Sequence, residues 1–219
     1  MLENQIEIIK TKLIEFGNHV NIMLEKSIRG LMEKSEKMLN ETIQLDEPRC
    51  NQMEIDIDEI CISTLARFDP KGKHLRTIVT ALKMNNDLER IGDHIVNISQ
   101  SALYLINKPQ VKPLIDIPRM AEEVKSMLSN SVKSFVEEDA KLAKKVCEND
   151  DVVDSYREQI IRELITYMIS DPTTIERALQ LIRISGNLER IADLSTNISE
   201  EVIFIVKGEI IKHRKKITF

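Results

Sequence analysis

The sequence has few of the residues from which sheets and tight turns are usually built. It contains no Trp, 4% aromatic residues, and only six Gly and six Pro among 219 residues. Sheet proteins of this length usually need more aromatic and turn residues. Hydrophobic residues make up 42% of the chain and charged residues 31%, which is typical of a charge-rich helical protein with a substantial core. The composition therefore predicts an all-α fold.

Cysteine, excess positive charge and long apolar runs are also scarce. The three Cys residues have no CxxC spacing, which favours a reduced, cytoplasmic chain. The net charge of −5 argues against nucleic acid as a partner. The N-terminus lacks a signal-peptide pattern, and the apolar run at residues 202–206 is too short to span a bilayer. We expect the basic cluster at residues 212–216 to be favourable charge at a helix C-terminus, or else a contact with an acidic partner or membrane surface.

Motifs of common enzyme classes are missing. The sequence has no Walker loop, no G-x-G-x-x-G, no G-x-S-x-G and no HExxH. None of its four His residues has a Glu three positions before it, as ferritin-like di-iron bundles require. We therefore expect a protein that is not an enzyme.

The chain contains an internal repeat. Residues 85–98 and 185–198, which lie 100 residues apart, share Leu, Glu, Arg, Ile, Asp, Asn and Ile in register. Shorter echoes, such as Asp69-Pro70 with Asp171-Pro172, occur at offsets between 104 and 100. The only Pro-rich stretch, residues 107–118, separates the two halves. Because an amphipathic helix needs partners to bury its apolar face, we predict two pseudo-symmetric three-helix bundles, at residues 1–110 and 111–219.

Apolar periodicity places the helices within each half. It predicts one helix over residues 3–45, a break at Glu47-Pro48, a second helix ending at Phe68, and a third from Leu75 to Ile106. The segment of the second half that corresponds to Glu47-Pro48 predicts a matching break at residues 151–154. Leu75, Ile78, Val79 and Leu82 share one sector of the third helix, and we expect neighbours to cover it.

Each repeat carries a column of oxygen-bearing side chains on its last helix. In a helix, residues at i, i+4 and i+8 lie nearly above one another, about 6 Å apart per step. This spacing aligns Glu89, Asp93 and Asn97 in the first repeat, and Glu189, Asp193 and Asn197 in the second.

The simplest interpretation of one such column is a solvated helix face. Like charges at i, i+4 repel by roughly 0.2–0.5 kcal/mol, however, and the same arrangement occurs in both repeats. Clustered carboxylate and amide oxygens suit hard divalent or ferric ions. We therefore predict a metal site on each column, with Glu54, Asp58 and Glu158 as further ligands from neighbouring helices. The sequence does not distinguish among Fe, Mn, Mg, Zn and Ni.

The motifs Leu-Glu-Arg-Ile-Gly-Asp and Leu-Glu-Arg-Ile-Ala-Asp resemble the twin signatures of the PhoU family. The likeness extends to residues 112–114, 164–168 and 206–209. It implies a cytoplasmic, dimeric protein of two three-helix bundles that keeps the phosphate-starvation response off when phosphate is plentiful. The implied partners are the ATPase subunit of the phosphate ABC transporter and a membrane sensor histidine kinase.

The resemblance also implies metal clusters on E(D)xxxD motifs, which fall here on Glu89 with Asp93 and on Glu189 with Asp193. Two other functions remain open from the residues alone. One is a metal-dependent carboxylate-cluster protein, acting as a hydrolase or a storage protein, and the other is a regulator of a different transporter.

Overall fold

The computed structural model of the protein describes residues 1–207, so the basic cluster at residues 212–216 lies outside the described part. Within residues 1–207 the structure contains helices and connecting turns but no strand. The all-α prediction is therefore confirmed. The helices are α1 (Leu2–Met32), α2 (Glu36–Glu41), α3 (Glu47–Phe68), α4 (Gly72–Ile106), α5 (Asp116–Glu137), α6 (Ala140–Ser170) and α7 (Ile175–Lys207), with a π-helical segment at Thr42–Asp46 and a 3₁₀ turn at Pro172–Thr174.

The first helix of each repeat is followed by the same type of turn. Lys34 and Glu138 both adopt the left-handed conformation, with φ of 54° and 52°. The next residue caps the following helix: Ser35 accepts a hydrogen bond from the Met38 backbone N–H, and Asp139 accepts from those of Lys141 and Leu142. The chain thus forms α1, α2–α3 and α4, and then α5, α6 and α7. This arrangement confirms the two pseudo-symmetric three-helix bundles.

Two of the predicted breaks inside the repeats are wrong, whereas the second helix does end at Phe68 as predicted. The helix expected over residues 3–45 ends at Met32, and no break occurs at Glu47-Pro48 because the π-helical segment leads directly into α3. Pro48 lacks an N–H, and the π-helical turn changes the backbone pairing just before it. In the second half, α6 runs without interruption through residues 151–154, with Val153 completely buried in the core.

The two repeats share a hydrophobic core, so their division into domains at residue 110 stays a prediction. Buried side chains of both halves form one cluster that includes Phe16 of α1 and Phe135 of α5. Helix α4 packs against α7, and α1 packs against α5. A hydrogen bond of 2.9 Å joins His94 Nδ1 of α4 to Asn187 Oδ1 of α7.

The connection between the repeats is anchored by an ion-pair group. The Lys112 side chain is buried, and its Nζ lies 2.9 Å from Asp116 Oδ2 at the start of α5. The same amine pairs with Glu163 of α6. These contacts raise the pKa of Lys112 against the lowering effect of its burial. The linker is therefore tied to two helices of the second repeat.

Both repeats leave an apolar stripe on the surface. The expectation that neighbours cover this sector is correct only in part, because Leu82 packs against the core but Leu75 and Val79 are 40% and 39% exposed. Their equivalents one hundred positions later, Ile175 and Leu179, are 42% and 45% exposed. Ile78 faces the core instead. Among residues 1–207, no helix has both the length and the apolar character needed to cross a bilayer.

Two helical glycines provide a test of how closely α3 and α4 approach. A Cβ on Gly92 of α4 would lie 2.6 Å from Cys50 Sγ of α3, whereas a Cβ on Gly186 of α7 would meet nothing within 4 Å. We expect Gly92→Ala to destabilise the protein by about 1–3 kcal/mol through overpacking. Gly186→Ala should stabilise it by up to about 1 kcal/mol through helix propensity. Urea unfolding measures both changes.

The double variant identifies the contact responsible. Replacing Cys50 by Ala should cost less stability in the Gly92→Ala background than in the natural protein, because the smaller side chain makes room for the new methyl group. Equal stability changes for Gly92→Ala and Gly186→Ala would contradict the close approach of the two helices.

Candidate metal centre

In the first repeat, acidic side chains of α3 and α4 face one another across the helix interface. We refer to Glu47, Glu54, Asp58, Glu89 and Asp93 as the first carboxylate cluster. Burial raises the pKa of Glu54, and the charge of Asp58 raises it further. Burial also raises the pKa of Glu89, with further contributions from the charges of Asp93 and Glu54. The cluster therefore gathers negative charge that its surroundings only partly offset.

Two amide side chains donate hydrogen bonds to residues of the first carboxylate cluster. Asn85 is completely buried, and its Nδ2 donates hydrogen bonds of 2.8 Å to Asp58 Oδ1 and to the Glu54 carbonyl. Its Oδ1 is also buried, and no residue within 1–207 donates a hydrogen bond to it. Asn51 Nδ2 donates to Glu47 Oε1 at 2.8 Å. Asn85 thus directs its Nδ2 toward the cluster and keeps a carbonyl oxygen without a hydrogen-bond partner among residues 1–207.

A thiol lies beneath the first carboxylate cluster. Cys50 is buried between α3 and α4, and this burial together with the charges of Glu89 and Glu47 raises its pKa to about 12. The thiol is therefore protonated at neutral pH and is a poor nucleophile. This part of the site contains no activated nucleophile.

The second repeat has a corresponding group of acids between α6 and α7. We refer to Asp150, Asp154, Glu189 and Asp193 as the second carboxylate cluster. Burial raises the pKa of Asp150 to about 6, with further contributions from Asp193 and Asp154. Burial raises the pKa of Asp154 as well, and Asp193 adds to the shift.

Arginines contact the second cluster directly. Arg157 Nε of α6 lies 3.3 Å from Glu189 Oε2, and Arg190 Nη1 lies 3.0 Å from Asp193 Oδ2. Arg90, the equivalent of Arg190, lies instead 3.5 Å from Asp87 Oδ1. The two clusters therefore have different charge partners.

The structure brings together most, but not all, of the candidate ligands. Glu54 of α3 lies near Glu89 of α4, and Asp58 accepts a hydrogen bond from Asn85, one turn before Glu89. Their role as metal ligands stays a prediction. Glu158 is exposed and accepts a 2.5 Å hydrogen bond from Arg162. Its charge also contributes to the raised pKa of Asp154, so its role at the second cluster stays a prediction. Asn97 and Asn197 are exposed, and Asn197 lines a groove together with Leu82 and Asn86 of α4.

Sequence reasoning missed Glu47 in the first cluster and Asp150 and Asp154 in the second. Asp150 and Asp154 have the same i, i+4 spacing as the recognised motifs, and this spacing was the available signal.

The donor atoms of the first cluster fit a hard cation, although their present positions do not converge on one. Within residues 1–207, no group of three or more His, Cys, Asp or Glu side chains is arranged to hold a metal ion. Carboxylates on neighbouring turns would have to change rotamer to share one. The buried Asn85 Oδ1 and the surrounding carboxylates are nevertheless the oxygen donors that hard cations prefer. Metal binding at the predicted residues stays a prediction.

A sequence model of the PhoU domain matches the chain twice, at residues 13–102 and 117–202. The chain belongs to the PhoU family. The two matches correspond to the two three-helix repeats, and each contains one of the E(D)xxxD motifs.

Relatives and solved structures of PhoU proteins cover nearly the whole chain. A phosphate-specific transport system accessory protein PhoU homolog of Aquifex aeolicus is 38% identical over 213 residues, covering 97% of this chain and 96% of the relative. A homolog of Thermotoga maritima is 35% identical, covering 97% and 90%. The crystal structure of PhoU from Pseudomonas aeruginosa superposes with a TM-score of 0.91 at 31% identity, covering 95% of this chain and all of that chain.

The raised pKa of Asp150 predicts a pH-dependent stability of this PhoU protein. The folded pKa of about 6 exceeds the ordinary value of 3.8, so the folded state holds the proton more tightly and loses stability as the pH rises through this interval. Asp150→Asn should therefore raise stability at pH 7.5 by about 1 kcal/mol, after allowance for solvent screening, and should change it little at pH 4. Thermal unfolding in a chelating buffer measures both values.

Asp151→Asn is the matched control, because Asp151 is the exposed neighbour on the same helix. Because the charge of Asp151 contributes less to the raised pKa of Asp150 than burial, Asp193 and Asp154 do, this control should change the pH dependence much less than Asp150→Asn. An equal gain for both variants would show that general charge reduction, rather than the environment of Asp150, controls the effect.

Proposed function

We propose that the protein is a regulatory adaptor of phosphate uptake. It acts in the cytoplasm as a homodimer and keeps the phosphate-starvation response off when phosphate is plentiful. It does so by linking the ATPase subunit of the phosphate ABC transporter to a membrane sensor histidine kinase. The observation that carries this proposal is the match to phosphate-transport accessory proteins over 97% of the chain.

The surface of the protein is compatible with an adaptor. Exposed apolar side chains mark sites of protein contact more often than isolated polar ones do. Leu75 and Val79 in the first repeat, and Ile175 and Leu179 in the second, form two equivalent exposed stripes. Two similar faces on one rigid core suit a protein that contacts more than one partner. The absence of common catalytic motifs from the sequence supports an adaptor rather than an enzyme.

Deletion of the gene tests the proposed regulation. In phosphate-rich medium the deletion should raise expression of a phosphate-starvation reporter, because nothing then holds the response off. Reintroducing the natural gene should restore repression. A parallel affinity capture from the complemented strain should recover the transporter ATPase subunit and the sensor kinase. Unchanged reporter expression in the deletion strain would overturn the proposal.

A regulator of a different transporter would behave otherwise in the same experiment. The phosphate reporter would remain repressed, and the captured transporter would be of another class. The gene neighbourhood provides an inexpensive additional check, since an adjacent phosphate ABC transporter favours the phosphate role.

A second candidate function is cation binding by the carboxylate clusters, either as an accompaniment to regulation or as metal-dependent hydrolysis. The unpartnered Asn85 Oδ1 and the partly buried carboxylates of Glu54 and Glu89 support binding of a cation. Phosphate-ester assays with Mn²⁺, Fe²⁺ or Mg²⁺ separate the two forms of this proposal. We expect no turnover. Turnover that is lost in Asp93→Ala and Asp193→Ala, but retained in Asp151→Ala, would instead establish a hydrolase.

A further inference from the structure

We infer that one end of the molecule binds a membrane surface that is rich in anionic lipid. The binding surface, which we call the basic end, contains seven exposed cations: Arg67, Lys71, Lys73, Arg76, Lys141, Lys145 and Lys207. Such binding goes beyond the proposed function, which names protein partners only, and does not depend on it.

The start of α4 meets the turn between α5 and α6. Lys73 in the first turn of α4 pairs with Glu138, which follows the last residue of α5. The cations of residues 67–76 therefore lie beside the first turns of α6, which carry Lys141 and Lys145.

The last turn of α7 lies at the same end. Lys83 Nζ of α4 lies 2.9 Å from Glu201 Oε2 of α7, whereas farther along α4 His94 hydrogen-bonds Asn187. Residue numbers in α7 thus fall as those in α4 rise, so the two helices are antiparallel. Lys207, the last residue of α7, consequently lies beside the start of α4.

The corresponding turn of the second repeat lies at the opposite end and has a different charge. Helix α4 has 35 residues and spans about 50 Å. Near its C-terminus, Tyr104 donates a 2.6 Å hydrogen bond to Glu176 at the start of α7. Residues 67–76 contain four Lys or Arg and one Asp, whereas residues 169–178 contain two acids and one Arg. The positive charge is therefore local, in a chain whose net charge is −5.

Acids next to the basic end offset its charge only in part. Asp69 pairs with Lys71 at 2.7 Å, Glu138 pairs with Lys73, and Asp139 caps α6. Residues 2–12 of α1 add equal numbers of acids and cations. Within residues 1–207, four cations of the basic end form no ion pair: Arg67, Arg76, Lys141 and Lys145.

Apolar side chains are exposed among these cations. Phe68 at the end of α3 is 39% exposed, and Leu75 in the first turn of α4 is 40% exposed. Surfaces that lie on membranes combine Lys and Arg, which attract anionic headgroups, with Phe and Leu, which enter the boundary of the acyl chains. In the sequence, the basic cluster at residues 212–216 follows Lys207 by five positions.

A membrane fits the basic end better than a single acidic helix of a partner protein does. The cations come from the ends of α3, α4, α6 and α7, so a broad anionic plane contacts them together, whereas one helix reaches only some of them. Exposed charges are screened over about 8 Å at physiological ionic strength. Binding should therefore require close contact and should weaken as salt is added.

Vesicle sedimentation of the full chain tests the inference. Phosphatidylcholine vesicles should bind little protein, and increasing fractions of phosphatidylglycerol should bind progressively more. Raising the salt to about 1 M, where the screening length falls to about 3 Å, should release most of the bound protein. The double variant Arg67→Glu with Arg76→Glu should lower the partition coefficient at least about tenfold, because two attractive charges become repulsive.

Matched variants control for net charge and for apolar exposure. Arg49→Glu with Arg162→Glu makes the same charge change at exposed positions about 25 Å or more along α3 and α6 from the basic end. This control should change the partition coefficient less than about threefold. Leu75→Ser should lower the coefficient by about threefold or more, whereas Ile175→Ser at the opposite end should not. Circular dichroism and thermal unfolding confirm that each variant is folded.

Each outcome either supports or overturns the inference. Binding that rises with phosphatidylglycerol and is lost selectively in Arg67→Glu with Arg76→Glu would support it. Equal losses in the two double variants would overturn it, because net charge alone would then control binding. Undiminished binding in Arg67→Glu with Arg76→Glu, combined with complete loss when the four Lys and Arg residues within 212–216 are replaced by Gln, would also overturn it. Binding to a poly-glutamate peptide but to no vesicle would assign the basic end to an acidic protein surface instead.

Discussion

The packing of α4 against α7 determines where the functional side chains lie. Each of these helices buries one side in the shared core, where Leu88, Ile91, Leu188 and Ile191 are completely inaccessible to solvent. The charged residues of the same helices must then occupy the remaining faces. Those faces lie beside α3 in the first repeat and α6 in the second, so that acids from two helices meet in each half. Packing in the shared core thus determines the positions of both carboxylate clusters.

Much of this arrangement could be predicted because helical periodicity relates sequence spacing directly to position. The i, i+4 spacing placed Glu89 with Asp93 on one side of α4, and the Ile residues of the same segment in the core. The repeat of that pattern predicted two equivalent halves. Glu54 was also identified correctly as a neighbour of Glu89, since α3 and α4 are joined by a short turn and must pack side by side.

The remaining details depend on backbone conformations that the sequence does not indicate. Lys34 and Glu138 end their helices in the left-handed conformation, where Gly or Asn would have been the recognisable residue. Pro48 suggested a break that the π-helical segment avoids. With the break transferred to residues 151–154, Asp154 was interpreted as part of a turn rather than as a site residue, and Asp150 just before it was not considered. Tertiary packing of Val153 overrides that local signal and keeps α6 continuous.

Duplication allows the two clusters to diverge while the fold stays the same. Buried positions such as Cys50 and Val153 must remain compact and apolar, because core packing tolerates little change in volume. Glu54 and Arg157 border the clusters, where a change of charge leaves the core intact. In the first repeat, burial and the charges of Asp93 and Glu54 raise the pKa of Glu89, and the charge of Arg90 offsets this effect only in part. In the second repeat, Arg157 and Arg190 pair with Glu189 and Asp193, yet burial and the neighbouring acids still raise the pKa of Asp150 to about 6. One scaffold therefore holds two acidic clusters whose charge partners differ.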